Sequence, residues 1–178
     1  PIRPALSTHQ NNRDHRKICV IDGHTAFTGG VNLADEYINR KVRFGHWKDT
    51  AVMVEGDAAV GFTMMFLQMW GVTEQEKERY ESYLKPADYR LPKDADASGF
   101  VIPYGDSPLD KENVGEQVYL DILGHAKKYV HIMTPYLILD DQMINALQYS
   151  AKRGVETIII MPHIPDKMSA YLLARSYY

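Results

Sequence analysis

The stretch from Asp14 to Asn32 leaves this chain little choice of local structure. Ile18, Cys19, Val20 and Ile21 form an unbroken apolar run, the pattern of a strand buried on both faces. Asp22-Gly23 follows at once, a short-loop hairpin signal, so the chain should turn and return from His24 to Phe27. Gly29 and Gly30 close the stretch, where missing side chains admit a ligand close to the backbone, and Asn32 adds an amide donor. Side chains two apart on an extended chain share a face, so His15 and Lys17 point the same way. A group titrating near neutrality thus stands beside a fixed cation at the rim of a hydrophobic strand. A base or nucleophile, a cation and close-approach donors together describe a site for phosphoryl chemistry.

Taken as a spacing, His15, Lys17, Asp22, Gly29, Gly30 and Asn32 resemble the His-Lys-Asp motif of the phospholipase D superfamily. The flanks narrow the likeness. Asn12-Arg13-Asp14-His15-Arg16-Lys17, the run from Gly29 through Leu33-Ala34-Asp35-Glu36 to Tyr37, and Trp47-Lys48-Asp49-Thr50 are similar to bacterial cardiolipin synthases. The resemblance continues through Thr134-Pro135-Tyr136 and Arg153-Gly154-Val155, and so covers nearly the whole chain.

What the resemblance implies is an α/β fold, a phospholipase D-like α-β-α sandwich with a mixed sheet, built from two similar halves that each end in such a hairpin. Residues 1–72 then correspond to the C-terminal part of the first half, 73–99 to an acidic mobile linker and 100–178 to the N-terminal part of the second half. A second His-x-Lys with the same downstream Asp is absent; His131 is followed two later by Met133 and His163 by Pro165. The implied reaction is phosphatidyl transfer between two phosphatidylglycerol molecules, forming cardiolipin through a phosphatidyl-histidine. Alternatives are another superfamily phosphodiesterase (phospholipase, phosphatidylserine synthase or nuclease) or a non-catalytic fragment. The implied setting is the bacterial cytoplasmic membrane, reached through the parent protein, with this fragment itself soluble. The missing half-site is expected in the same chain or in a dimer mate. No cofactor and no nucleic acid are implied.

Composition bounds these expectations. With 178 residues, 45% of them apolar, the chain holds enough for one sizeable core. No apolar run approaches the ~20 residues that span a bilayer. The chain opens Pro1-Ile2-Arg3-Pro4 with neither an initiator Met nor a secretory signal, and is expected to be a piece of a longer protein. Cys19 is the single cysteine, so no intrachain disulfide forms, and its place in the apolar run reads as core packing. The net charge of −3 hides a basic first segment, with eight Lys and Arg against five Asp and Glu over residues 1–50. That excess, Arg40, Lys41 and Arg43 included, suits an anionic substrate and equally an ordinary solvated face; it is too small to argue for nucleic acid.

Beyond the hairpin, Leu33 to Ile38 reads as a short helix capped by Asn32, and Lys48 to Glu55 as a strand. Ala58 to Trp70 reads as a well-buried helix with Met64, Met65 and Met69 as core filler. Thr73 is a plausible cap for an acidic helix, and the Pro-containing stretch after it a linker. Strands are expected at Phe100–Tyr104, Tyr129–Thr134 and Val155–Pro162. Helices are expected at Val114–Lys127, Asp140–Lys152 and from Met168 on. This alternation argues for parallel strands, and Asp140 and Asp141 occupy a helix-capping position.

Each candidate residue has a plainer reading. Alone, His15 is a surface histidine beside an arginine; the joint pattern favours nucleophile, or acid/base to a partner histidine, with Lys17 neutralising phosphoryl oxygens. Asp22 more readily fixes the hairpin than touches substrate. A histidine nucleophile needs its far nitrogen oriented, and Asp49 is the candidate carboxylate, placed there by the resemblance. Asn32 serves phosphate contact or helix capping, and Trp47 a wall or interfacial anchor. His24, His46, His125, His131 and His163 show no ligand spacing, and a histidine with a lysine clamp needs no metal.

Overall fold

The computed structural model describes residues 14–73, 79–84, 98–107 and 111–177. They gather into two compact units. The first holds the described residues up to Arg40 and from Lys48 to Tyr104; the second joins Lys41–Trp47 to those from Gly105 on.

In the first unit, β1 (Ile18–Ile21), β2 (Thr25–Gly29) and β3 (Ala51–Glu55) form an antiparallel sheet in the order β1-β2-β3. Asp22 and Gly23 both adopt positive φ, 51° and 71°, and His24 N–H donates to Ile21 O at 3.2 Å. The short-loop hairpin expected at the dipeptide forms, with Ile21 paired to Thr25 so that His24 stays in the loop. The helix α1 (Ala59–Thr73) covers one face of the sheet. Ile18, Val20, Ala26 and Val54 meet Ala59 and Phe62 there, and the two fully buried alanines bring helix and sheet into close contact.

The burial expected on both faces of β1 is corrected. Ile18 and Val20 face the helix, while Cys19 is exposed and Ile21 is 47% exposed. The register sets Cys19 opposite Phe27 and Phe27 opposite Met53, so an apolar row crosses the side on which no helix lies among the described residues. Alternation, not the apolar run, decides which side chains are covered when one layer packs on a sheet. The same reason corrects α1. Phe62, Thr63 and Leu67 are buried, but Met64, Phe66, Met69 and Trp70 are exposed, so Met64 and Met69 are not core filler. Phe66 and Trp70 stack with ring centroids 5.9 Å apart. Thr73 is the last residue of α1 and not a cap; the helix predicted to follow lies outside the described residues, as does most of the expected linker, with a 3-10 turn at Tyr80–Ser82.

Two further expectations fail for lack of backbone partners. Residues 33–38 form turns, in which Ala34 N–H donates to Asn32 O at 3.0 Å and Tyr37 N–H to Ala34 O at 3.1 Å. Leu33 is wholly exposed, so no apolar anchor draws this segment into a helix. Phe100–Tyr104 joins neither sheet. Pro103 has no N–H to give a ladder, and its ring lies over Gly61 of α1, where a Cβ would stand 2.9 Å from Pro103 Cγ.

The second unit is a βαβ arrangement preceded by a helix. β4 (Tyr129–Met133) and β5 (Glu156–Ile160) pair in parallel, as the alternating pattern predicts, joined through α3 (Asp141–Lys152), with α2 (Val114–His125) ahead of them. A further helix, α4 (Met168–Ala174), follows. Leu123, Val130, Leu147 and Val155 make the core. Asp140 caps α3 as expected, accepting from Met143 N–H at 2.9 Å. Arg153, just past α3, donates to Leu123 O at 2.8 Å, Gly124 O at 3.0 Å and Ala126 O at 3.3 Å. It thereby satisfies carbonyls at the end of α2 that the helix itself leaves open. Ser150 Oγ, fully buried, donates to the same Leu123 O at 3.1 Å.

The architecture is thus mixed α/β with two small sheets. The single mixed sheet that the resemblance implies is not assembled among the described residues; each unit carries its own. Among them no helix is long and apolar enough to cross a membrane.

Candidate functional site

The approach to β1 is extended, and its period of two sorts four polar residues into two pairs. On one side the Arg16 guanidinium grips the Asp14 carboxylate, Nε to Oδ1 at 2.9 Å and NH2 to Oδ2 at 3.2 Å, while Arg16 N–H donates to Oδ1 at 3.1 Å. On the other side Lys17 Nζ stands 2.9 Å from His15 Nε2 and donates to His15 O at 2.7 Å. An ammonium has only protons to give, so in this contact His15 Nε2 is the acceptor. The side-chain hydrogen bond from Arg16 lowers the Asp14 carboxyl from its ordinary value, and burial opposes it. His15 and Lys17 therefore meet, as their spacing predicts.

The register brings three strand ends together beside this pair. Ile18 lies opposite Thr28, and Gly29 opposite Ala51, so the start of β1, the end of β2 and the start of β3 share one end of the sheet. Asp49 enters at that end, two strands from Lys17, a sideways separation of about 10 Å at the ordinary strand spacing. Asp22 does not join them. It sits at the opposite end of β1, five residues from Lys17, or roughly 16 Å along an extended chain. Its exposed carboxylate and left-handed backbone fit the hairpin-fixing reading.

The protein's own packing also requires the glycine pair to lack side chains. A Cβ on Gly29 would stand 2.4 Å from Thr50 O and 2.7 Å from Ala51 Cα. A Cβ on Gly30 would stand 2.4 Å from Asp49 Oδ1, and the Gly30 N–H is already donated to Thr50 O at 3.2 Å. The space beside Gly30 is where the Asp49 carboxylate lies, its Oδ1 also accepting from Thr50 N–H at 2.9 Å. Asn32 is half-buried and gives its backbone carbonyl to Ala34, so helix capping is not its role. Trp47 belongs to the second unit, tilted against Phe44 at 5.7 Å between ring centroids.

Sequence inspection passed over Asp166 and Lys167. In the second unit the Tyr136 hydroxyl donates to the Asp166 carboxylate, a pairing thirty residues apart that no local spacing announces. Arg153 was visible only as part of a matching tripeptide; its contacts with the end of α2 arise from the βαβ packing.

The chain aligns end to end with longer bacterial proteins. It is 57% identical over its whole length to a Streptococcus mutans protein whose name assigns no function, covering 38% of that protein. It is 35% identical over its whole length to a cardiolipin synthase of Alkalihalophilus pseudofirmus, covering 35% of it. To cardiolipin synthase 2 of Bacillus cereus it is also 35% identical, covering 34%. The chain thus spans a little over a third of the length of the relatives it matches. No family model matches it, and no solved structure matches it.

Proposed function

We propose that the chain is part of a phospholipase D-superfamily phosphatidyltransferase that makes cardiolipin from two phosphatidylglycerol molecules. The observation that carries this reading is the His15–Lys17 pair, with its nitrogen lone pair facing an ammonium at 2.9 Å. Alignment of the whole chain with about a third of two proteins named cardiolipin synthase supports it. In the same reading the two units belong to the two halves of the superfamily's sandwich.

The chemistry follows from the pair. A phosphodiester oxygen draws Lys17 Nζ away from His15 and is neutralised by it, which frees Nε2. Nε2 attacks phosphorus as the P–O bond to glycerol breaks; the leaving oxygen takes a proton, and a phosphatidyl-histidine remains. Asp49, set at the same end of the sheet by the glycine pair, is the carboxylate assigned to orient the ring through Nδ1–H. The hydroxyl of a second phosphatidylglycerol then attacks phosphorus, loses its proton and restores the histidine, giving cardiolipin. The general acid for the departing glycerol is a second histidine, supplied by the rest of the parent chain or by a dimer mate.

The test is rapid acid quench of the parent protein with phosphatidylglycerol vesicles, followed by peptide mass analysis. A phosphatidyl adduct on the peptide containing His15, absent in His15→Ala, is expected. Cardiolipin formation that survives His15→Ala would overturn the reading, and release of phosphatidic acid in place of cardiolipin would make water the acceptor.

A further inference from the structure

Building on the reading above, we propose that the carboxyl-terminal rim of β4 and β5, with Tyr136, Asp166 and Lys167 as its polar groups, binds a phosphoglycerol group. In open parallel α/β sheets, ligands bind outside the carboxyl ends of the strands, where the loops diverge. Thr134-Pro135-Tyr136 leaves the end of β4, and residues 161–167 leave the end of the adjacent parallel β5. Both loops turn toward each other. The Tyr136 hydroxyl donates to Asp166 Oδ2, and Lys167 Nζ sits 5.0 Å from the centroid of the Tyr136 ring.

Tyr136 is held in place locally. Its N–H donates to Thr134 Oγ1 at 3.2 Å, and that hydroxyl donates to Tyr136 O at 3.1 Å. Thr134 N–H continues the β4–β5 ladder to Ile160 O at 3.1 Å, so the rim is continuous with the sheet. The loop Lys41–Trp47 belongs to this unit as well. A Cβ on Gly45 would stand 3.5 Å from Ile164 Cδ1, an ordinary contact, and Gly45 takes a φ of 82° that favours glycine. This loop brings the exposed Lys41 and Arg43 to the same unit.

The donor set selects the ligand. A carboxylate accepts up to about four hydrogen bonds, and the tyrosine takes only one of Asp166's places. The rest suit hydroxyl protons, as on a glycerol. Lys167 is a point charge suited to a phosphate oxygen. A bare phosphate would meet the Asp166 carboxylate with like charge, and a bare polyol would leave the ammonium unmatched. A phosphoglycerol satisfies both.

The test is NMR titration of the full chain with sn-glycerol 3-phosphate, with inorganic phosphate and glycerol as controls, alongside sedimentation with phosphatidylglycerol vesicles. Glycerol 3-phosphate should shift the Tyr136, Asp166 and Lys167 resonances and bind about tenfold tighter than either control. Asp166→Asn and the exposed Lys167→Gln should each weaken it by about tenfold or more. Loss of vesicle binding in Lys167→Gln identifies a lipid head group as the source; unchanged vesicle binding with weakened glycerol 3-phosphate identifies a free phosphoglycerol. Either supports the site. Should Asp166→Asn lower the melting temperature while both variants bind normally, the cluster merely ties two loops and the proposal falls. Shifts confined to His15 and Lys17 would overturn it and leave the phosphatidyltransferase reading intact. No shift at any position up to millimolar ligand would also overturn it, with the His15 adduct still deciding that reading.

Discussion

At the scale of single residues, the pair of His15 and Lys17 follows from chain geometry, because an extended backbone turns side chains two apart onto one side. Lys17→Met in the parent protein should lower kcat for phosphatidyl transfer by about 10²–10³-fold, the loss typical of a group that stabilises transition-state charge, with a smaller change in KM. Steady-state kinetics on mixed vesicles checks this. The neighbouring Asp14 gives a pH prediction. Its folded carboxyl is depressed by Arg16, so the pair stabilises the fold above the ordinary aspartate value near ~3.9 and loses that contribution as pH falls through the lower folded value. A carboxyl-carbon NMR titration should put the Asp14 midpoint below that ordinary value, and Arg16→Ala should move it up. The missing side chain of Gly30 makes room for Asp49. Gly30→Ala should therefore destabilise by about 1–3 kcal/mol through overpacking and lower the transfer rate as the carboxylate moves. Gly30→Ala with unchanged stability and rate would show that the contact is dispensable.

Elements with their own local stop and start signals were legible. The Asp22-Gly23 hairpin and the Asp140 cap each come from a few adjacent atoms, and both form as predicted. Asp140→Ala should cost about 1 kcal/mol, the usual worth of an N-cap, seen as a lower melting temperature by circular dichroism without loss of helix elsewhere. Elements that depend on a distant partner were not legible. Residues 33–38 have helix-forming composition but no packing face to hold a short helix, and Phe100–Tyr104 has strand composition but a proline that lies over α1. The extent of α1 to Thr73 passes the boundary that residue type suggested.

For the whole molecule, the chain carries one His-x-Lys with an Asp at the spacing of Asp22, and spans 35% of a cardiolipin synthase it matches. The mechanism proposed above needs a second histidine as acid. The isolated 178 residues should accordingly show little or no turnover of phosphatidylglycerol, at least ~10³-fold below the parent protein at equal concentration. Thin-layer analysis of labelled lipid checks this. Robust turnover by a chain shown to be monomeric by sedimentation would contradict it. The apolar sheet sides at Cys19, Phe27 and Met53, and at Met133, Ile158 and Ile160, are left without a helix layer among the described residues.

What the sequence determined by itself was local. It set the hairpin and its turn, the shared side of His15 and Lys17, the capped start of α3 and the alternation that yields a parallel pair. Each rests on interactions between residues close along the chain, so spacing and residue type suffice. Tertiary structure alone decided the rest: which side of β1 is covered, why Gly30 must be small, that Asp22 stands away from His15, and that Tyr136 meets Asp166. Those outcomes depend on which surfaces pack together across tens of residues. An apolar strand or a lone acidic residue reads the same in sequence whichever surface it meets.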